Sequence, residues 1–564
     1  MKLKKSFFLT ICFCFITQIA VAATPTIAVE ELRPGMRGYA KTVIEGAKIE
    51  TFDVEILGVT GSETTGHNIL VKASGPLLAR SGGIAKGMSG SPVYINGALV
   101  GAVAYGQAFS DPNYCFLTPI NEMLKLFDRP DPRPSVFLPK NTPLMVSGFT
   151  NDGLKYLNEQ LKPFNLISYS APTGQGDFSY VKLEPGSSVG VKLVKGDITV
   201  GSIGTVTWTD EDGRILAFGH PFLQRGASDY FMTNAWIFAS VPNMQSAFKV
   251  GALGNVVGNI TQDRSVGIAG QVGGNAKIIP MFVSVTDKDR GEHKSSSVQI
   301  VTDEALAPTL IDSVAYNTLV KTADRKGGGT SRMSFTITAR GERSGELRLK
   351  RDNMFSNMTD IAKATDGELQ YAVKMLMNNR FDKVTIFDIN VDAEISSAYE
   401  VAEIVSARLP QTKVKQGAEL PIEITFKPYR AKNITKKIMF KVPDKQPEGP
   451  MSLIVRSGNS TGWLQAALQS LATKEGGIQV VAEKRNFKDF LDEFNEADSN
   501  NEIVVDIMSS AQPKKKELEE NITAPKPQAV GLRQLLKGSK FKQKYPMDFI
   551  STGEVNLRVQ VTAK

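Results

Sequence analysis

The chain has 564 residues, 41% hydrophobic and 22% charged, a balance that excludes a disordered or fibrous protein and leaves room for three or four cores at about 150 residues per domain. The formal net charge of +8 falls to +5 once Lys2, Lys4 and Lys5 of an N-terminal leader are set aside, and the run Lys514-Lys515-Lys516 is answered by Glu517, Glu519 and Glu520. Such diffuse charge points to a solvated surface and away from a nucleic-acid partner.

The leader comes first in chain order. Lys2, Lys4 and Lys5 make a basic n-region, residues 7–19 an apolar h-region, and Ala20-Val21-Ala22 a small-residue cleavage site. This pattern predicts a secretory signal peptide over 1–22, a mature chain beginning near Ala23, and an exported protein of the periplasm or cell envelope. Cys12 follows Ile11 rather than a small residue, which argues against lipidation. No later stretch approaches a membrane span, so no stable span is expected after cleavage. Cys12 and Cys14 leave with the leader and only Cys115 stays, which excludes an internal disulfide.

Residues 24–127 read as β. Phe52, Val54 and Ile56 alternate with Thr51, Asp53 and Glu55, and Ile69-Leu70-Val71 forms another short strand. Residues 93–95 and 98–103 flank Asn96-Gly97, the dipeptide that most readily takes positive φ at both centres of a type I′ hairpin turn. A short helix over 120–127 closes the unit, and Pro130, Pro132 and Pro134 mark a linker. Residues 135–195 form a bridge with one amphipathic helix, marked by Leu154, Leu157 and Leu161, and a glycine-rich loop at 174–176. Strands over 203–208 and 214–218 join through Asp212-Gly213, and Gly219-His220-Pro221 follows at the strand end. Short strands continue to about residue 300. A helix then runs over 303–323 with Asp303 as N-cap and Pro308 as an interruption or second start, and Gly327-Gly328-Gly329 makes a joint. Beyond it come a hairpin (334–340 and 346–350), a helix (367–379), and alternating strands at 420–426 and 438–442, the spacing of a small β-sandwich. The C-terminal part mixes helices (463–473, 487–494), a proline- and charge-rich stretch (512–528) and a last strand (555–561).

The chemistry centres on Gly87-Met88-Ser89-Gly90-Ser91-Pro92, a tight loop feeding the hairpin. A nucleophilic serine needs backbone N–H groups at its own position and two residues before it to converge on a developing oxyanion, and Gly87 and Ser89 occupy those positions. A glycine- and serine-rich turn ahead of a core hairpin would use the same residues. A base must come from elsewhere, and the chain has three histidines. His293 lies among Arg290, Glu292 and Lys294, His67 in a polar loop, and His220 just past an apolar strand, which makes it the better-positioned candidate. Lys86 is a weaker alternative, since a Ser/Lys pair requires a buried, deprotonated amine.

Residues 81–92, Ser81-Gly82-Gly83-Ile84-Ala85-Lys86-Gly87-Met88-Ser89-Gly90-Ser91-Pro92, resemble the nucleophile segment of the SpoIVB-type serine peptidases. Ile203-Gly204-Thr205-Val206 through Ala217-Phe218-Gly219-His220 resembles their histidine segment, and Gly258-Asn259-Ile260-Thr261 a further stretch. The resemblance spans about residues 30–300. It implies a trypsin-like β-barrel peptidase unit over 23–330; with the strand spacing beyond it, the expectation is a mainly β chain in which this unit is followed by a β-sandwich (331–445) and a small α+β C-terminal region (446–564). It further implies an exported endopeptidase acting on protein or peptide substrates, with Ser89 as nucleophile, His220 as general base, Gly87 and Ser89 as oxyanion hole, and no cofactor or metal. The two segments occur in permuted order, the serine first. The family's acidic position upstream of the serine falls on Ser74, which leaves the third member open, with Asp229 as a substitute. A histidine without a firm carboxylate partner predicts activity rising with pH through roughly 6 to 7.5. The competing class is a non-catalytic envelope protein that keeps the fold as a binding platform.

Overall fold

The computed structural model describes residues 24–62, 66–106, 110–128, 143–172, 178, 181–243, 246–365, 367–458, 487–508 and 541–564. The leader over 1–22, the proline linker at 130–134, the glycine loop at 174–176, the helix at 463–473 and the stretch at 512–528 lie outside the described residues.

The fold is mainly β and begins with a closed barrel. Its strands are β1 (Arg37–Thr42), β2 (Glu50–Ser62), β3 (Gly66–Ser74), β4 (Pro92–Ile95), β5 (Ala98–Tyr105) and β6 (Tyr114–Pro119), in the order β1-β2-β3-β6-β5-β4. Pairing of Tyr39 with Tyr94 and of Ala40 with Val93 closes the ring. The period-2 alternation expected for residues 51–56 is the inward face of β2, where Phe52, Val54 and Ile56 are buried. The Asn96-Gly97 turn has φ of +50° and +81°, as a type I′ hairpin requires.

A second ring follows. Strands β7 (Leu144–Ser147) and β8 (Ser168–Ser170) lead to β9 (Ser188–Gly196), β10 (Thr199–Thr209), β11 (Arg214–Ala217), β12 (Gly226–Val241), β13 (Phe248–Arg264) and β14 (Gly267–Val272). Antiparallel pairing runs β9-β12-β13-β14-β11-β10, and β10 returns to β9. Two rings therefore stand side by side, with Tyr94, Leu99 and Ala102 of the first packed in one apolar cluster with Leu216 and Ala269 of the second.

The second ring opens into a wider sheet. From β9 it continues in space through β16 (Glu292–Val301), β15 (Ile278–Asp287), β19 (Val384–Ser396), β17 (Gly329–Gly341) and β18 (Gly345–Asn357), with β15 parallel to β19. The helix Ala307–Ala323 covers this sheet and is buried almost all round. Asp303 Oδ1 accepts from the N–H groups of Ala305 and Leu306, so Asp303 closes the turn that leads into the helix, whose own N-cap position falls at Leu306 without a side-chain bond, and Pro308 sits in the first turn, where its missing N–H costs nothing. The boundary expected after residue 330 thus falls inside a continuous sheet, because β17 and β19 complete the edge that β15 would otherwise expose.

The sandwich lies farther along than the alternation suggested. Strands Val401–Arg408, Glu419–Pro428, Ile434–Lys441 and Ile550–Thr552 form one sheet, and Lys413–Lys415, Gly449–Ser457, Glu502–Ile507, Gln543–Pro546 and Glu554–Thr562 the other. They share one core, including Ile422, Phe426, Phe440, Leu453 and Val505. Strands beyond residue 446 thus supply the second face that the strands before 445 need to bury their apolar side. Among the described residues, no helix is long and apolar enough to cross a membrane.

Candidate active site

The Ser89 loop leaves the first barrel and lies against the second. Met88 is fully buried in the first barrel's core, which turns the neighbouring Ser89 outward to a half-exposed position. Strand β10 fixes the loop from the other side. Thr205 N–H donates to Ser89 O (2.9 Å), the Thr205 hydroxyl to Gly87 O (2.9 Å), and the Thr207 hydroxyl to Gly90 O (2.8 Å). Three carbonyls are thereby drawn towards β10. The N–H groups of Gly87 and Ser89 are left without an acceptor among the described residues, the property an oxyanion site must have before substrate arrives. Gly90 is obligatory here: its φ is +96°, and a Cβ would stand 1.9 Å from Thr205 O.

His220 follows β11 through a strained corner. Phe218 has φ of +70°, a left-handed conformation uncommon for a bulky residue, and this corner swings the imidazole under Tyr105 and Phe218, with ring centroids 6.1 and 5.9 Å away. The ring is 1% exposed. Its Nδ1 stands 2.7 Å from Pro221 O, and since a carbonyl can only accept, Nδ1 carries the proton and Nε2 keeps its lone pair. Burial pushes the imidazole down to about 4, with the Pro221 bond acting weakly the other way. It is therefore neutral at ordinary pH, whereas the expectation of a rise through 6 to 7.5 assumed a solvated ring.

The two loops meet on one atom. Gly90 N–H donates to Val103 O (2.7 Å), and the same oxygen lies 3.0 Å from where a Cβ on Gly219 would stand. Ser89 directly precedes Gly90 in the chain, and His220 directly follows Gly219. No hydrogen bond joins the Ser89 hydroxyl to His220 among the described residues, as is common in substrate-free sites.

The other sequence candidates are elsewhere. His67 lies on the β2–β3 ribbon opposite Gly61, and His293 is exposed on β16 with Nδ1 3.2 Å from the Thr286 hydroxyl. Lys86 is half-exposed. Ser74 ends β3 opposite Asp53, and Asp229 accepts from the Asn259 amide and from Lys277 N–H, so neither orients His220. The acid that serves the histidine loop is Asp263. It is fully buried on β13, and its two oxygens accept from the N–H groups of Phe222 and Leu223, each at 2.7 Å. Burial pushes it up to about 6, while bonds from the backbone of residues 222–225 hold it down. Sequence reading missed Asp263, although it lies two residues past the Gly258-to-Thr261 stretch noted above; Thr205 stood inside the histidine segment without an assigned part.

A family model described as SpoIVB peptidase S55 matches residues 17–124, which contain the first barrel and the Ser89 loop and end before His220. The SpoIVB-type serine peptidase resemblance is thus supported by this segment, and with it serine peptidase chemistry in general. No curated protein matches the chain.

Proposed function

We propose, starting from a first barrel that carries SpoIVB-type peptidase sequence, that this protein is an exported serine endopeptidase that cleaves protein substrates in the cell envelope. Ser89 is the nucleophile, His220 the general base, and the N–H groups of Gly87 and Ser89 the oxyanion hole. The observation that carries this reading is the polarity of the Ser89 loop, with three carbonyls tied to β10 and two N–H groups without an acceptor among the described residues.

In the first step the Ser89 hydroxyl proton passes to His220 Nε2 while Oγ bonds to the substrate carbonyl carbon, and the carbonyl electron pair moves to the oxygen facing Gly87 and Ser89. The proton then goes to the departing amine as the C–N bond breaks, and water releases the acyl group by the reverse sequence. The Pro221 carbonyl supports the required Nδ1–H tautomer, the role a carboxylate has in a full triad. A neutral carbonyl stabilises imidazolium less than a carboxylate would. Turnover slower than that of a full-triad peptidase follows from this.

The competing reading, a binding platform on a peptidase fold, draws on the absence of a carboxylate at His220 among the described hydrogen bonds. Labelling with a fluorophosphonate probe separates the two. The wild-type protein should form a covalent adduct mapped to Ser89, Ser89→Ala should form none, and His220→Ala should react at least about a hundredfold more slowly. Equal labelling of wild type and Ser89→Ala would leave the binding platform.

A further inference from the structure

Beneath the Ser89 loop lies a lysine that the mechanism has not used. Lys249, near the start of β13, is 1% exposed, and its backbone N–H donates to Lys86 O (2.9 Å). Its stem forms the floor under Gly87, where a Cβ would meet Lys249 Cδ at 3.0 Å and Cβ and Cγ at 3.2 Å. Its amine reaches between the two barrels, 3.2 Å from the Thr42 hydroxyl of β1 and 3.3 Å from the Thr205 hydroxyl of β10. Among the described residues no carboxylate pairs with it. Burial pushes the amine down to about 7. A buried amine held only by two hydroxyls costs stability, and such costs concentrate at functional sites.

The hydrogen-bond directions show what the amine does. The single proton of the Thr205 hydroxyl goes to Gly87 O, so that oxygen's lone pair is left to accept, and Lys249 Nζ supplies the donor. We propose that Lys249 is a positioning residue of the Ser89 site: through the Thr205 hydroxyl it holds the Gly87 carbonyl on the β10 side, and so fixes the Gly87–Met88 peptide that sets the Gly87 and Ser89 N–H groups, one on either side of it, towards the oxyanion. This rests on the peptidase reading above. Without the amine the hydroxyl can rotate away, the Gly87–Met88 peptide between the two N–H groups loses its tether, and their relative orientation is no longer preorganised.

The test follows phosphonylation of Ser89 by a fluorophosphonate probe, with thermal unfolding measured in parallel. Lys249→Met keeps the stem and removes only the amine, so its melting temperature should equal or exceed that of the wild type while its limiting rate of phosphonylation falls at least about tenfold. The probe concentration giving half that rate should not change. Thr205→Val should show a similar loss of rate and Thr205→Ser should recover most of it. The double variant Lys249→Met/Thr205→Val should be no slower than the slower single one, since both break one chain of bonds. Wild-type rates in Lys249→Met would overturn the inference and leave the Ser89 assignment standing. A wild-type protein that does not react at Ser89 overturns both. If Lys249→Met fails to fold, Thr205→Val and Thr205→Ser decide, and equal rates in those two overturn the inference.

Discussion

The His220 imidazole is held in one tautomer by a backbone carbonyl and kept neutral by burial, and both conditions have consequences that can be measured. Its folded value of about 4 lies below the ordinary 6.5, so the folded state binds the proton more weakly than the unfolded chain does. The stability this contributes is fully present above pH 6.5 and is lost as pH falls through 4, about 3 kcal/mol in all. Denaturant unfolding at pH 7 and pH 4 should therefore show a larger loss in wild type than in His220→Gln by about that amount. The rate of Ser89 phosphonylation should rise through about pH 4 to 5, and a rise centred between 6 and 7.5 would mean that the ring is solvated during reaction.

At the scale of elements, the site is two loops gripped by strands of the second barrel. Strand β10 holds the Ser89 loop by its carbonyls, and β13 holds the loop after His220 through Asp263. Gly90→Ala places a methyl group 1.9 Å from a backbone oxygen of β10, where neither partner is a flexible side-chain end. Separation of loop and strand should cost about 3 kcal/mol or more and abolish labelling; a Gly90→Ala protein that labels normally would show that the grip is dispensable. Asp263→Asn keeps the shape but turns an NH2 group towards backbone N–H donors. It should cost about 2 kcal/mol and slow phosphonylation, and unchanged unfolding in urea would remove Asp263 from its assigned part.

Across the whole molecule the fold that carries the candidate site does not end where the motifs end. β15 pairs with β19 from Met281 with Ile389 to Asp287 with Ile395, and the core that holds Phe218 and Tyr230 continues through Phe335, Ile389 and Leu376. A fragment covering 24–330 would expose that long strand edge and the apolar face of the helix Ala307–Ala323. Its expected behaviour is aggregation, measured by gel filtration, whereas a fragment ending at 398 should keep more soluble material. A monomeric 24–330 fragment with native near-UV dichroism would show that the later strands are an addition and not part of the fold.

The sequence alone determined the β character of the chain, the Asn96-Gly97 hairpin, the turn that Asp303 closes ahead of the helix and the loop bearing Ser89, because each depends on residues within a few positions of one another. Turn chemistry and period-2 alternation are local, and they survive without knowledge of what the strand pairs with. Its place past an apolar strand marked His220 among the three histidines, and the family resemblance added the role of general base, which spacing could not supply. Only the tertiary structure decided what surrounds these residues. Lys249 and Asp263 read as ordinary strand charges, and nothing in their neighbours along the chain says that one ends beneath Gly87 and the other among the N–H groups of residues 222–225. The same holds for the closure of β9 to β10, the continuation of the sheet past 330 and the sandwich assembled from both sides of 446. Each is a pairing between distant segments, set by which edge and which apolar face remain to be covered once the local elements have formed.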